Sequence, residues 1–246
     1  MHRAYAQAGA ELLTTNTFGG TSYVLAGHGA AHRVRELSVA GARLARECAG
    51  ERAWVLGDIG PFGGMLEPLG DAPEDEVRLA FREQAAALLE GGADLILIET
   101  MSDPAEAVLA VQAAKVAGAE VVIATFTFQQ SSAGYRTMMG TAVGPALKAV
   151  VQAGADVVGA NCGTDLSLDD YVKLTAELVA AASGRPVIVQ PNAGSPRLVD
   201  GAIRYDESAQ FAAATPRLLA AGARLVGGCC GSTPAHIAAM AAHFTR

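Results

Sequence analysis

PEDEVRLAFREQAAALLEGGADLILIET, residues 73–100, holds the fold in one line. Residues 73–91 carry apolar side chains at helical spacing and predict a helix. Gly92-Ala93 then interrupts it. A glycine there can take the left-handed conformation that ends a helix. The run Leu95–Thr100 that follows is apolar at nearly every position, as in a strand covered on both faces. The same phrase returns at Gly9-Ala10, Gly118-Ala119, Gly154-Ala155 and Gly222-Ala223, each time after a helix-like segment and before an apolar run. Helix, glycine stop and buried strand in repetition predict parallel βα units.

Working outward from that unit, the chain yields seven strands: Glu11–Thr17, Ala53–Ile59, Leu95–Thr100, Val121–Phe128, Val157–Cys162, Pro186–Gln190 and Arg224–Cys229. Helices are expected at about 30–49, 73–91, 103–117, 141–153, 167–183, 206–221 and 234–244. Asp103-Pro104 and Thr233-Pro234 each place an oxygen-bearing cap before a proline at the first helical position. Two long loops, Gly60–Ala72 and Asn192–Tyr205, follow strands, so they belong to the carboxyl end of the sheet, where parallel α/β folds keep their sites. The one tryptophan, Trp54, opens a strand and is expected in the core.

A closed barrel of this kind takes eight strands. The chain also opens inside a helix, His2–Gln7 running straight into the Gly9 stop. The expected fold is therefore a (β/α)8 barrel, read as a single domain over 1–246, lacking its first strand and the start of its first helix at the amino end.

Bulk properties narrow the function classes. Apolar residues make up 51% and charged residues 17% of the 246, which excludes a disordered chain. The net charge of −7 speaks against a nucleic-acid partner. No apolar run is long enough for a membrane span, and the start lacks the pattern of a signal peptide. Four cysteines in a chain of this length do not make a disulfide framework, and a reducing cytoplasm is the expected compartment.

Cys162 closes a strand in GANCG, and Cys229 and Cys230 close the last strand in GGCCGSTP. In a barrel all three point at one mouth. Three thiolates converging with a fourth position open form a catalytic zinc site, and soft sulfur ligands select zinc over magnesium or calcium. Two other readings stand beside this one: small buried apolar residues, which is what Cys48 inside RLARECAG is expected to be, and a strained disulfide between the adjacent cysteines. A free thiol with pKa near 8.5 costs roughly 2 kcal/mol to ionise at pH 7, whereas a metal-bound thiol is deprotonated outright. A three-sulfur centre therefore suits alkyl transfer to a thiol.

GANC followed by GGCCGSTP resembles the homocysteine S-methyltransferase family. TNTFG at Thr15–Gly19, GDIGP at Gly57–Pro61, Glu99-Thr100 and PNAG at Pro191–Gly194 resemble family motifs in the family's order, so the resemblance spans the chain. It implies a (β/α)8 barrel and zinc held by Cys162, Cys229 and Cys230. It also implies transfer of a methyl group to homocysteine, giving methionine. Glu99 matches a carboxylate that contacts the homocysteine amino group. Asp58, Asn16, Thr17 and Asn192 are further candidates for substrate contact, Asn192 also as a zinc ligand when substrate is absent. The family's opening strand, with an Asp-Gly motif near DGAMGT, has no counterpart here.

The methyl donor is less legible. No cobalamin-binding DxHxxG pattern occurs. A methylcobalamin-bearing partner is expected ahead of a small sulfonium or betaine donor, for which Phe18, Phe62, Tyr135 and Tyr205 are the loop aromatics available to a cage. Two alternatives remain: a zinc enzyme methylating another thiol or a selenol, and a catalytically silent zinc-binding barrel.

Overall fold

The computed structural model describes residues 1–163, 165–199 and 201–244. In chain order these form α1 (His2–Gln7), β1 (Leu12–Thr14), α2 (Ser22–Ala26), a 3-10 turn (Ala31–Arg33), α3 (Val34–Ala49), β2 (Trp54–Ile59), α4 (Glu74–Glu90), β3 (Leu95–Met101), α5 (Pro104–Val116) and β4 (Val122–Phe126). There follow β5 (Gln129–Ser131), β6 (Gly134–Arg136), α6 (Val143–Ala153), β7 (Val157–Cys162), α7 (Leu168–Ala181), β8 (Val187–Pro191), β9 (Arg197–Val199), β10 (Ala202–Arg204), α8 (Ser208–Ala220), β11 (Leu225–Val226) and α9 (Pro234–Ala241).

The five glycines of the repeated phrase behave alike. Gly9, Gly92, Gly118, Gly154 and Gly222 have φ of 98°, 99°, 102°, 109° and 106°. Behind each, the alanine N–H donates to the carbonyl five residues back: Ala10 to Tyr5, Ala93 to Leu88, Ala119 to Ala114, Ala155 to Val150 and Ala223 to Leu218, at 3.0–3.1 Å. This closes the helix end and sends the chain back into the sheet. The aspartates after two of these stops then bind across to the neighbouring strand. Asp94 accepts from Val55 N and pairs with Arg46; Asp156 accepts from Val122 N at 2.8 Å and pairs with Lys115 at 2.6 Å.

The seven expected strands form one curled parallel sheet in the order β1-β2-β3-β4-β7-β8-β11, a half-barrel whose two ends are β1 and β11. Both faces are covered, as the near-continuous apolar runs require. Leu56, Leu97, Ile123, Val157 and Ile188, one from each of β2, β3, β4, β7 and β8, pack inside the curl. Val55, Ile96, Val122, Val158 and Val189 face the helices in the larger core. The helices form a continuous outer layer, because α1 packs against both α3 and α9, outside the space between β1 and β11. Tyr5 Oη donates to Ser232 O at 3.0 Å, and His2 Nε2 lies 3.1 Å from Thr14 O. Beneath α1 and α9 a cleft of about 500 Å³ opens along the two sheet ends, lined by Leu12, Leu56, Ile188, Leu225 and Met240 among others.

Several expectations change in detail. The strand read as Val121–Phe128 ends at Phe126, and the β5–β6 hairpin follows it. The stretch read as the loop Asn192–Tyr205 carries the β9–β10 hairpin, with Asp200 outside the described residues. Trp54 is 61% exposed rather than in the core. It starts β2 one inward step below Leu56, beneath the last apolar layer, and lines the open cleft. Cys48 is half-buried against the core, as expected.

The loop after β2 is anchored from below. Phe62 is buried, meets Tyr23 edge-on at 5.3 Å, and donates its N–H to Glu106 Oε1 at 2.7 Å. Burial raises the Glu106 carboxyl to about 7, against the lowering effect of the Phe62 N–H.

Two predictions follow from these contacts. An alanine at Gly118 meets no atom within 4 Å, so its cost is purely that of the left-handed backbone. Gly118→Ala should lower stability in urea by about 1–2 kcal/mol. Gly144→Ala, equally uncrowded but inside α6, should be neutral or gain up to about 1 kcal/mol. The second concerns Glu106, which holds more protons folded than unfolded between 4.5 and about 7. Wild-type stability should therefore fall as pH rises through that window. Glu106→Gln keeps an acceptor for Phe62 and removes the charge. It should be the more stable protein at pH 8, by at most about 3 kcal/mol, with the advantage vanishing toward pH 4, as read from melting temperatures across pH.

Candidate metal and substrate site

Every main-sheet strand runs toward the same end, so residues at strand carboxyl ends share one mouth. Cys162 is the last residue of β7. Cys229 lies just past β11, still bound to β8 through its N–H to Pro191 O at 2.8 Å, and Cys230 follows. The three sulfurs lie within 4.8 Å of one another, Cys162 to Cys230 at 3.9 Å and Cys229 to Cys230 at 4.0 Å. Backbone bonds hold this turn to the segment after β8. Ala193 N donates to Cys230 O at 2.9 Å, Asn192 Oδ1 accepts from Cys230 N at 3.1 Å, and Asn192 Nδ2 donates to Gly163 O at 3.2 Å. Asn192 thus ties the loop carrying Cys162 to the turn carrying Cys230. Gly163 itself has φ +96°, and a Cβ there would lie 2.9 Å from Phe128 O and 3.0 Å from Tyr171 Oη.

The sulfurs do not titrate alike. The Cys229 thiol, hydrogen-bonded to Cys162, helps hold Cys162 down to about 5. Cys229 is pushed up first by that same bond and then by its burial, and Cys230 is pushed up by burial and by the Cys162 charge. One sulfur ionises readily, and its charge then opposes the other two. Among the described residues the groups hydrogen-bonded to these side-chain sulfurs are thiols and amides, none of them a cation. Three thiolates this close require a positive ion between them, and a soft sulfur set with room for a fourth ligand fits zinc.

A polar layer lies one alternation step beyond the inner apolar one. Leu56 leads to Asp58, Leu97 to Glu99, Ile123 to Thr125, and Ile188 to Gln190. Asp58 is buried, with one carboxyl oxygen unpartnered. Burial raises its pKa well above the usual range, and Glu99 raises it further. Burial also raises Glu99, against a hydrogen bond from Asp58 and with the Cys162 charge adding to the rise. Two carboxyls so placed resist joint ionisation, and an incoming cation would relieve that resistance. Thr17 acts on Asp58 from behind. Its Oγ1 donates to Asp58 O at 2.7 Å, Thr15 Oγ1 accepts from Asp58 N at 2.9 Å, and Gln84 Nε2 donates to Thr17 O at 2.7 Å. Asn16 is exposed and stands apart, lining a separate hollow with His2, Phe18 and Gly41.

The loop aromatics do not form a cage. Phe62 and Tyr135 are buried, Phe18 is 43% exposed, and Tyr205 packs where a Cβ on Gly231 would stand. Thr233 caps α9 together with His236, whose Nε2 lies 2.9 Å from Asp206 O, so this end braces the cysteine turn.

Three residues escaped the sequence reading. Asn161 bridges Glu99 and Cys229. Tyr171, buried with its hydroxyl unpartnered, has its pKa raised by burial and then by the charges of the three cysteines. His236 is the third. Asn161 was findable: it sits in the quoted GANCG, two places beyond the inward Gly159.

The sequence model described as homocysteine S-methyltransferase matches residues 1–244. The methionine synthase of Mycobacterium leprae (strain TN) is 35% identical over 259 residues, covering 100% of this chain and 21% of its own length. That of Mycobacterium tuberculosis (strain ATCC 25618 / H37Rv) is 36% identical over 258 residues, covering 98% of this chain and 21% of its own. The chain thus spans about a fifth of the length of these curated relatives. Among solved structures, the metallated form of the homocysteine methyltransferase MmuM from Escherichia coli superposes with a TM-score of 0.79 at 24% identity, over 99% of this chain and 83% of that one. The likeness confirms the fold. With the family match over nearly all its length, the chain belongs to the homocysteine S-methyltransferase family, a family of methyl-transferring enzymes.

Proposed function

We propose that this chain binds homocysteine at the barrel mouth and presents its sulfur for methylation, giving methionine. The observation that carries the reading is the convergence of Cys162, Cys229 and Cys230 beside a carboxyl pair, buried Asp58 and half-buried Glu99. The two features match the two ends of an amino-thiol. Cys162, Cys229 and Cys230 would hold a zinc ion, a reading supported by their three sulfurs lying within 4.8 Å of one another. What zinc supplies when bound is the positive charge that keeps a substrate thiol ionised near neutral pH, in place of roughly 2 kcal/mol of deprotonation cost.

The chain's own groups do the remaining work. Asn192 fixes the Cys162 loop against the Cys229-Cys230 turn. Glu99 and Asp58 receive the substrate ammonium as carboxylates, any proton that burial has kept on them leaving to water, and the ammonium supplies the partner that the free Asp58 oxygen lacks. Thr17 holds Asp58 in place, and Asn16 stays outside the contact set. The mouth leaves Cys230 exposed, so a donor can approach from outside.

The same reading places the methyl donor on a partner bearing methylcobalamin rather than on a small sulfonium or betaine molecule. Large apolar side chains stand exposed on the loops around the mouth: Phe18, Leu69, Met138, Met139, Leu198 and Ile203. A rim of this kind suits a macromolecular face, and the relatives carry about four-fifths of their length beyond the matched region. An eighth parallel strand laid along the cleft between β1 and β11 completes the barrel in this reading.

Protein prepared under reducing conditions should hold about one zinc per chain by elemental analysis, following the three-ligand rule for catalytic zinc. Alanine at Cys162, Cys229 or Cys230 should each remove most of it, and Cys48→Ala should not. Full zinc in Cys229→Ala protein would sink the three-sulfur site. Glu99→Gln should leave zinc unchanged and weaken homocysteine binding about 10- to 100-fold, the worth of a charge-assisted hydrogen bond at about 1.5–3 kcal/mol. Unchanged affinity in calorimetric titration would remove Glu99 from the amine site.

A further inference from the structure

We infer that Asn161 is the residue that sets the distance between the amine site and the sulfur site, and through it the length of amino-thiol that the pocket accepts. The inference rests on the homocysteine reading above and adds a specificity role to it.

Asn161 is 1% exposed, and its amide is fully engaged. Nδ2 lies 3.1 Å from Glu99 Oε2, 2.7 Å from Thr100 Oγ1 and 3.7 Å from Cys229 Sγ, donating toward each. Oδ1 accepts from Thr100 N at 2.9 Å and from Thr125 Oγ1 at 2.8 Å. Among the described residues it is the one side chain hydrogen-bonded both to an acid of the amine site and to a sulfur of the metal site. Asn192, by comparison, stays on the sulfur side, bonding Gly163 O, Cys230 N and the Cys162 side chain but neither acid.

The backbone around it is held in an uncommon state on both strands. Thr100, directly after Glu99, has φ +60°, and Cys162, directly after Asn161, has φ +55°. Such conformations persist where the surroundings over-determine them. Here Asn161 Oδ1 takes the Thr100 N–H, so the turn that aims Glu99 is pinned to the strand that carries Cys162. The acid, the amide and the sulfur form one rigid chain across β3, β7 and the turn after β11. Side-chain amides in such buried networks specify geometry because every group is satisfied in one arrangement only.

Homocysteine and cysteine carry the same ammonium and the same thiol, separated by a backbone differing by one methylene. A pocket with both ends fixed rejects the shorter molecule, since it cannot reach both. Loosening the link between the ends removes that penalty for cysteine and weakens the fit of homocysteine. A prop that merely held the fold would weaken both ligands by one common factor.

The test is calorimetric titration of the zinc-loaded chain with homocysteine and with cysteine, in wild type, Asn161→Ala and Asn161→Asp. Zinc content is measured alongside. Asn161→Asp keeps the size and an acceptor for Thr100 and Thr125 while losing the N–H groups that face Glu99 and Cys229, and it serves if the alanine variant fails to fold. Wild type should favour homocysteine by about 10- to 200-fold, the range for one methylene in a fitted site. Both variants should keep zinc and bring that ratio down at least tenfold. An unchanged ratio in a zinc-retaining variant overturns the inference alone. Loss of zinc from both variants overturns it too, making Asn161 a support of the metal site. Absence of homocysteine binding in zinc-loaded wild type defeats the functional reading itself, and this inference with it.

Discussion

The left-handed glycine that ends α1, α4, α5, α6 and α8 is the constraint on which the architecture turns. Gly9, Gly92, Gly118, Gly154 and Gly222 end their helices in the same conformation and start the next strand in the same direction. Five of the seven strands leave such a turn in the same direction, β2 and β8 join them in parallel, and so the carboxyl ends meet. A cysteine at residue 162 and a pair at 229–230 are remote in the chain, yet this repetition brings their sulfurs within 4.8 Å. Reversing one turn would carry its strand's terminal residue to the opposite face.

This explains why so much was legible from the residues. The helix stop, the apolar run and the period of two are local properties, and the course of all seven sheet strands follows from them. Even the last, with only Leu225–Val226 in regular pairing, continues its bonds to β8 as far as Cys229. The site residues at strand ends inherit that legibility. Two hairpins were not read, because β9–β10 pairs three exposed residues with three and β5–β6 buries only Tyr135, so neither carries a buried stripe to signal it. Trp54 was misplaced because an aromatic residue beginning a strand looks like core, while its depth depends on which layer lies beneath it. Asn161 was passed over because the cysteine next to it was the louder signal. Its contacts are set by register between strands, which the chain alone does not display.

The electrostatics of the mouth have two halves with one logic. On one side, three sulfurs resist joint ionisation. On the other, buried Asp58 lies with half-buried Glu99, each raised by desolvation. Among the described residues neither half has a cation bonded to it, and both lie in a polar layer of the sheet interior next to an apolar one. An incoming metal and an incoming ammonium meet groups already arranged and already desolvated, so little further reorganisation is needed when they arrive. The cost of holding like groups together falls on the folded state, and the apolar layers above and below the sheet offset it.

The open cleft between β1 and β11 gives the molecule its own optical readout. Trp54 is the only indole in the chain, and it stands at the lip of that cleft with most of its surface in water. Anything that fills the cleft, whether a strand, a peptide or a detergent tail, withdraws that ring from water and shifts its emission toward the blue. The thiol cluster lies at the far end of the strands, so ligands bound there leave the colour unchanged. Fluorescence can therefore follow the state of the seam separately from the state of the site, in one cuvette and without a label.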